Sequence, residues 1–395
     1  EYLLHFRFRG DIYAMKEGTV MYPNEPVITV VAPLIDAQLI ETTILLEINH
    51  QSLIATKTNR IVQAANGKPV SDFGARRAHN VDAAVYGARA AYIGGAAGTA
   101  TVLAGKMFHI PISGTMAHSW VMTFDSEYDA FKAYAESYPD GTVLLVDTYD
   151  VLKSGVPNAI RTAREVLEPM GKKLIGIRLD SGDLAYLSKE ARKMLDEAGL
   201  SDCMIVASNS LDEYTISSLN RQGAKIDSYG VGERLITSSS TPVFGAVYKL
   251  VAIQKDGKFI PKIKISETAE KITNPGIKEV YRVYDENGKA VADYLAVKGE
   301  QIRDLEPVRY VDPVNYWKNR SFVGCRFKKL QVPVFEKGKR IYDLPDIEEI
   351  RQYVKDQLEN EIWEEEQRFE NAHTHYLDMS PAMFELKMSL LHEEN

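Results

Sequence analysis

Between about residues 69 and 245 the chain repeats one pattern: a short apolar run, a polar turn, then an amphipathic segment closed by glycine. Val143-Leu144-Leu145-Val146 leads to a helix expected over residues 159–167 and stopped by Gly171. Leu174-Ile175-Gly176-Ile177 leads to a helix with the face Leu184, Leu187, Ala191, Met194, Leu195 and Ala198, ended at Gly199. Met204-Ile205-Val206-Ala207 leads to a third, through Tyr214, Ile216 and Leu219, that stops at Gly223, and Ser228-Tyr229-Gly230-Val231 follows. Strands alternating with helices of this length specify a parallel α/β sheet, open or closed. Upstream, Val70-Ser71-Asp72-Phe73, the segment from His109 to His118 and a possible strand at Tyr92-Ile93 bring the count to six or seven. One barrel accommodates them more economically than two sheets.

The flanks read differently. Residues 1–35 are expected to form short strands at Phe6-Arg7-Phe8, around Met21 and over residues 27–31, followed by one or two helices traced by Ile40, Ile44, Leu45, Ile48, Leu53 and Ile54. After residue 245, segments 247–253 and 258–265 are strand-like, joined by the hairpin turn Lys255-Asp256-Gly257-Lys258. Ile347, Ile350, Val354 and Leu358 trace a helix face in an acidic stretch that continues through Glu364-Glu365-Glu366, which is expected to be a solvated helix side.

A chain of 395 residues with 45% hydrophobic and 26% charged residues has ample material for packed cores. Its 55 acidic against 47 basic residues give a net charge of −8, which opposes a nucleic-acid partner. No apolar run approaches the ~18 residues that cross a bilayer, so no membrane partner is expected. Cys203 and Cys325 are too few for a disulfide framework and lack zinc spacing, so a reducing, cytoplasmic setting fits. The chain begins at Glu1 rather than Met, inside what reads as a strand, and a preceding segment is expected to be missing.

The polar residues sit where the apolar runs end: Asp147 after the first, Arg178 and Asp180 after the second, Ser208 and Asn209 after the third, and Gly230-Val231-Gly232 after the fourth. In α/β barrels such positions converge on one mouth. Taken singly, Asp, Ser and Asn there are also ordinary helix N-caps. His118 follows Gly114-Thr115 in another strand-end loop, where backbone N–H groups suit a phosphate or oxyanion, and both a catalytic and a structural histidine remain open. Phe73 with Arg76-Arg77 suits a flat anionic ring, by stacking and charge-assisted hydrogen bonds, although surface arginines beside a core Phe would look the same. Arg178-Leu179-Asp180-Ser181-Gly182-Asp183 offers a cation for pyrophosphate and carboxylates for a ribose diol or hydrated Mg²⁺. His373 and His375, two apart and without companion ligands at helical spacing, are not expected to bind metal.

The blocks Phe73–Arg77 (FGARR), Tyr92–Ala96 (YIGGA), Ser113–Ser119 (SGTMAHS), Leu145–Asp150 (LVDTYD), Ile177–Asp183 (IRLDSGD), Ala207–Glu213 (ASNSLDE) and Tyr229–Leu235 (YGVGERL) occur in the order found in nicotinate phosphoribosyltransferases. The sequence resembles the bacterial type of that family over nearly its whole length. The resemblance implies an irregular, TIM-like α/β barrel of the type II phosphoribosyltransferase kind over residues 66–245. Beside it stands a split α/β sandwich domain, residues 1–65 and 246–395, in a homodimer whose N-terminal segment, ahead of Glu1, carries a tyrosine reaching the neighbouring site. It implies that nicotinate and phosphoribosyl pyrophosphate give nicotinate mononucleotide and pyrophosphate with coupled ATP hydrolysis, Mg²⁺ arriving on the substrate phosphates near Asp180. By the same resemblance His118 is the transiently phosphorylated histidine and Asp147 the acid that orients it. Arg178 and Asp180 match the phosphoribosyl-binding pair, and Gly230 and Gly232 the 5′-phosphate loop. Substrate contacts are expected from Phe73, Arg76, Arg77, Thr115, Ser208 and Asn209.

The segment after Gly94-Gly95 departs from the family pattern, reading Ala96-Ala97-Gly98-Thr99-Ala100-Thr101 where an Asp and then Thr-Ser-Asn is usual. Relatives that use nicotinamide carry an acid at the position of Ala100, so a preference for nicotinate is expected here. Two other classes compete. A phosphosugar aldolase or isomerase would need a Schiff-base lysine or paired acid and base, and no strand end from 143 to 231 supplies a lysine. A non-catalytic dimeric relative would be expected to lose His118, Asp147 or Arg178, and all three are present.

Overall fold

The structure, a computed structural model, describes residues 1–267 and 272–393. Two compact units make up the chain: residues 49–244, and a unit that joins residues 1–48 to those from 245 onward. Helix Glu41–Ala64 carries the chain from one into the other.

The unit 49–244 is built on six strands, β1 (Val70–Asp72), β2 (Gly98–Thr99), β3 (Val143–Leu145), β4 (Gly176–Leu179), β5 (Met204–Ala207) and β6 (Ser228–Val231), in the order β2-β1-β6-β5-β4-β3. Every pairing is parallel, so all six C-terminal ends point the same way. The apolar runs are covered on both faces, as parallel sheets require: Leu144, Leu145, Ile177, Leu179, Ile205 and Tyr229 are all buried. A parallel bridge from Thr99 to Ile112 adds a seventh position beyond β2. Laid flat at ~4.8 Å per strand, Ile112 and β3 would lie roughly 29 Å apart. Yet His118, past Ile112, is hydrogen-bonded to Thr148, past β3, at 3.0 Å. The loops leaving the two ends of the strand order therefore meet.

Two expectations within this unit are corrected. Tyr92-Ile93 is no strand but the end of helix Val81–Ile93, whose Ala84, Val85, Ala88, Ala91 and Tyr92 recur at helical spacing and are buried; the strand comes later, at Gly98. The helical stretch expected from residue 159 begins at Val151: a π turn over 151–155 ends in Gly155, Pro157 sits in the first turn of the α-helical stretch Val156–Thr162, where proline is tolerated, and a second π turn covers 163–167. It ends at Gly171, in the left-handed region at φ 68°. The next two helices, Leu184–Glu197 and Glu213–Arg221, lie where their periodicity places them.

In the other unit, strand Asp11–Met15 pairs with Ile28–Val31 and with Gln331–Glu336, so both chain ends share one antiparallel sheet, completed by Lys339–Arg340. A second, six-stranded sheet has Leu377–Met379 parallel to Ala290–Val297 at its centre, over a core of Val280, Leu295, Leu330, Met379 and Met383. Phe6–Phe8 and the run around Met21 lie outside strands, and segment 247–253 reaches strand conformation only from Ala252. The hairpin turn at Asp256-Gly257 has both φ values positive, 52° and 76°, as a type I′ turn demands. Helix Ile347–Asp356 opens with a capping box between Asp346 and Glu349. The acidic run is not wholly solvated: Glu366 accepts the Tyr22 hydroxyl at 2.7 Å and faces His375, whose ring stacks on Tyr22 and also lies 3.5 Å from Asp293.

Candidate active site

The helices that follow β3, β4 and β5 are capped by Asp150, Asp183 and Asp212, each accepting backbone N–H groups of its own first turn. Asp147, Asp180 and Ser208 lie three or four residues earlier and cap nothing. Polar side chains at the ends of buried strands, released from helix capping, need another role.

Arg178 is the centre of the arrangement. Its Nε donates to the Ser208 hydroxyl at 2.9 Å, one terminal nitrogen to Thr115 Oγ1 at 2.8 Å, and the other to Asp180 Oδ1 at 3.1 Å. Ser208 also donates to Asp180, closing a ring of three side chains from β4, its loop and β5. A guanidinium is planar and forked, so three partners fix its plane completely. Its Cζ lies 5.4 Å from the centre of the Phe73 ring, which leaves β1.

His118 extends the cluster. Its Nε2 lies 3.6 Å from Asp180 Oδ2 and 4.0 Å from Asp147 Oδ1, while Nδ1 faces the Thr148 hydroxyl at 3.0 Å. The Asp147 side chain is 1% exposed against 39% for His118. Ser181 donates to Asp147 Oδ2, and Oδ1 is buried without a hydrogen-bond partner. A buried carboxylate with one open oxygen beside a half-exposed imidazole can orient the ring and stabilise its cationic forms.

On the other side of Arg178 the Phe73 ring packs against Gly230. A Cβ at Gly230 would lie 2.3 Å from Phe73 Cε2, so the β6 glycine is required by close approach of the ring. The Phe73 N–H donates to the Val231 carbonyl at 2.8 Å, tying the β1 turn to β6. Gly232 stands opposite the Phe73 carbonyl. Thus Gly230, Phe73, Arg178, Thr115, Ser208, Asp180, His118 and Asp147 form one continuous chain of contacts.

Three other sequence candidates stand apart from that chain. Arg76 and Arg77 are exposed on the turn Ala75–Arg77, with Arg77 Nε 3.5 Å from the Glu233 carboxylate. Asn209 is exposed at φ 95°, a strained backbone position for a non-glycine residue just past β5. Sequence reading missed Thr148 and Ser181, the hydroxyl partners of His118 and Asp147. Both lie inside the quoted blocks, but nothing in a hydroxyl's sequence position says which charged group it serves. Among the described residues no group of three or more His, Cys, Asp or Glu is arranged to hold a metal ion.

Three family models match the chain: the nicotinate phosphoribosyltransferase N-terminal domain over residues 1–49, the nicotinate phosphoribosyltransferase family over 69–288, and the C-terminal domain over 277–387. The chain is 50% identical to a nicotinate phosphoribosyltransferase of Bacillus subtilis (strain 168) over 382 residues, covering 96% of this chain and 77% of the relative. It is 37% identical to the nicotinate phosphoribosyltransferase of Dictyostelium discoideum, over 95% of this chain and 72% of that one. Among solved structures it is similar to human nicotinic acid phosphoribosyltransferase, with a TM-score of 0.86 and 26% identity over 97% of this chain and 83% of that one. The nicotinate-nucleotide pyrophosphorylase of Pyrococcus furiosus matches with a TM-score of 0.69 and 30% identity, over 89% and 81% of the two chains. With the strand-end cluster in place and a family model spanning more than half its length, the chain belongs to the nicotinate phosphoribosyltransferase family.

Proposed function

We propose that the strand-end cluster joins nicotinate to phosphoribosyl pyrophosphate, releasing pyrophosphate and forming nicotinate mononucleotide, with ATP hydrolysed through a phosphohistidine at His118. The observation that carries this reading is the placement of His118 between the Asp147 and Asp180 carboxylates, with Arg178 locked beside them.

In the ribosyl step the pyridine nitrogen's lone pair attacks C1 of the phosphoribosyl group while the bond from C1 to the pyrophosphate oxygen breaks. No proton moves, and the product carries a pyridinium. Positive charge builds at C1 and negative charge on the leaving pyrophosphate, so the site needs carboxylates and a cation in fixed positions, which Asp180 and Arg178 supply. Phe73 offers the face on which a pyridine stacks. Arg76 and Arg77, on the turn that follows, supply charge for its carboxylate, and Thr115 a hydroxyl. The 5′-phosphate is read to bind at the β6 end, where Gly230 makes room for the Phe73 ring and Gly232 leaves the backbone bare, and Ser208 and Asn209 line the β5 end. Asp180 and the open oxygen of Asp147 would hold Mg²⁺ carried on the substrate phosphates, where it would neutralise charge on the leaving pyrophosphate.

In the coupling step a ring nitrogen of His118 attacks the γ-phosphorus of ATP. The bond to the ADP oxygen breaks and a P–N bond forms, which water later hydrolyses to phosphate. Asp147, buried and fixed by Ser181, holds the imidazole and balances its charge. The exposure of His118 keeps it within reach of a nucleotide. The proposal includes a homodimer and a cytoplasmic setting. Supporting the latter, Cys203 and Cys325 are both buried as free thiols.

The test is pyrophosphate release that depends on both nicotinate and phosphoribosyl pyrophosphate. His118→Ala should lose acid-labile labelling by γ-labelled ATP and substrate-stimulated ATP hydrolysis, yet retain slow, uncoupled ribosyl transfer because the substrate contacts remain. Labelling of His118→Ala at the parent level would show that another residue accepts the phosphoryl group.

A further inference from the structure

Immediately before Phe73, the Asp72 side chain is buried to 0% exposure and both its oxygens are occupied. The Gly74 N–H donates to Oδ1 at 2.8 Å, and the Thr99 hydroxyl donates to Oδ2 at 2.7 Å. Thr99 Oγ1 in turn accepts the Thr101 N–H at 3.0 Å, and the Ala100 N–H donates to the Asp72 carbonyl at 2.8 Å. A carboxyl group taken wholly out of water is costly wherever it is placed. Burial lifts its affinity for a proton above the ordinary aspartate range, against the pull of the Thr99 and Gly74 hydrogen bonds. Two loops leaving neighbouring strands converge on this one group: the Phe73-Gly74 turn after β1 and the Ala100-Thr101 segment after β2. Strand pairing stops at Asp72 and Thr99, so the relay holds the loops in register beyond the point where the sheet does.

We infer that Asp72 and Thr99 are positioning residues for the pyridine substrate, their hydrogen-bond relay locking the Phe73 ring and the Ala100-Thr101 segment into one preformed slot. This rests on reading Phe73 as the surface on which the pyridine stacks. Neither Asp72 nor Thr99 touches the reacting atoms. They act through the ring and the segment they hold, so the cost of losing them falls on nicotinate and not on the phosphoribosyl group, whose Arg178 and Asp180 contacts belong to β4 and β5.

The experiment measures kcat and both KM values in Thr99→Val, Thr99→Ser, Asp72→Asn and Phe73→Leu, with folding checked by circular dichroism. Thr99→Val keeps shape and removes the hydroxyl. It should raise the KM for nicotinate about tenfold, the effect of one hydrogen bond to a charged group, with the KM for phosphoribosyl pyrophosphate within about twofold. Thr99→Ser restores the relay and should restore the parent value. Asp72→Asn, where it folds, should follow Thr99→Val. An unchanged nicotinate KM in Thr99→Val, equal rises in both KM values, or no recovery in Thr99→Ser overturns the inference. Phe73→Leu separates the two claims. If it raises the nicotinate KM while Thr99→Val does not, only the relay fails; if neither does, the reading of the ring site fails with it.

Discussion

At the scale of single residues, Arg178 shows why side-chain type and not charge alone sets this site. Its three hydrogen bonds leave in three directions in one plane, to Ser208, Thr115 and Asp180. A lysine carries the same charge on one compact ammonium and cannot span them. Arg178→Lys should therefore lower kcat/KM for phosphoribosyl pyrophosphate by ~100-fold, roughly 2.7 kcal/mol, which steady-state kinetics at saturating nicotinate would measure. Ala100 sets a different quantity. It is exposed at the end of β2, its N–H given to Asp72, and its side chain offers neither charge nor hydrogen bond. A carboxylate there would repel the nicotinate carboxylate at short range in a partly dry site. The parent enzyme is expected to favour nicotinate over nicotinamide by at least ~100-fold in kcat/KM, two factors of ten at about 1.36 kcal/mol each, roughly the 2.7 kcal/mol that one charge-assisted hydrogen bond supplies. Ala100→Asp should lose nicotinate activity, and equal use of the two pyridines by the parent would remove this loop as the selector.

At the scale of elements, the π turn Val151–Gly155 is the tightest join in the parallel unit. Gly155 has an ordinary helical φ of −60°, so its glycine is needed for space: a Cβ there would meet the Val146 carbonyl oxygen at 1.9 Å. Val146 directly precedes Asp147, so an added methyl pushes the strand end that aims the carboxylate. Gly155→Ala should destabilise the protein by about 3 kcal/mol and depress ATP coupling more than a surface Gly→Ala change, read by thermal melts and ATP hydrolysis. The same element shows what sequence could and could not convey. Buried parallel strands were legible at β3 to β5 because a short apolar run opens each, and at β6 because Ser228-Tyr229-Gly230-Val231 follows a helix stopped by Gly223; the catalytic candidates were legible because the first three runs end in polar groups. The two-residue β2 was not legible, since it is too short for any periodicity and Tyr92-Ile93 nearby has the stronger strand composition. The helix start at Val151 was hidden because its opening π turn ends in Gly155, a poor helix former, with Pro157 two residues on. Hydroxyl partners were hidden for a topological reason: His118 and Thr148 are 30 positions apart and lie past opposite ends of the strand order, and Asp147 and Ser181, 34 apart, meet only because β3 and β4 pair side by side.

At the scale of the whole molecule, the unit made from both chain ends concentrates buried ionisable groups that the catalytic reading does not use. Arg282 and Asp293 form a bidentate pair, both buried, with His375 and Glu366 beside it. In this pair the charged forms hold each other, and hydrogen bonding to Glu25, His375 and Arg282 keeps Asp293 below the ordinary aspartate range in spite of its burial. Asp378, on the central parallel strand Leu377–Met379, has the opposite fate. Burial, with the Asp312 charge adding to it, pushes its carboxyl up to about 6, against weaker pulls from His375 and Lys318. Below the unfolded value near 3.8 the group is protonated in both states and costs nothing. As pH rises toward 6 the unfolded chain releases this proton and the folded chain still holds it, so folding stability falls, and above that the loss is constant. Asp378→Asn does not titrate and keeps the shape of the protonated acid. Its stability advantage over the parent should therefore be near zero at about pH 4, grow through pH 5 and level off by about pH 7 at no more than roughly 3 kcal/mol. Parallel thermal melts of the two proteins across that range would measure it. An advantage that stays the same at every pH would mean that packing and not the buried proton separates them, and one that shrinks as pH rises would mean that Asp378 is held in its charged form.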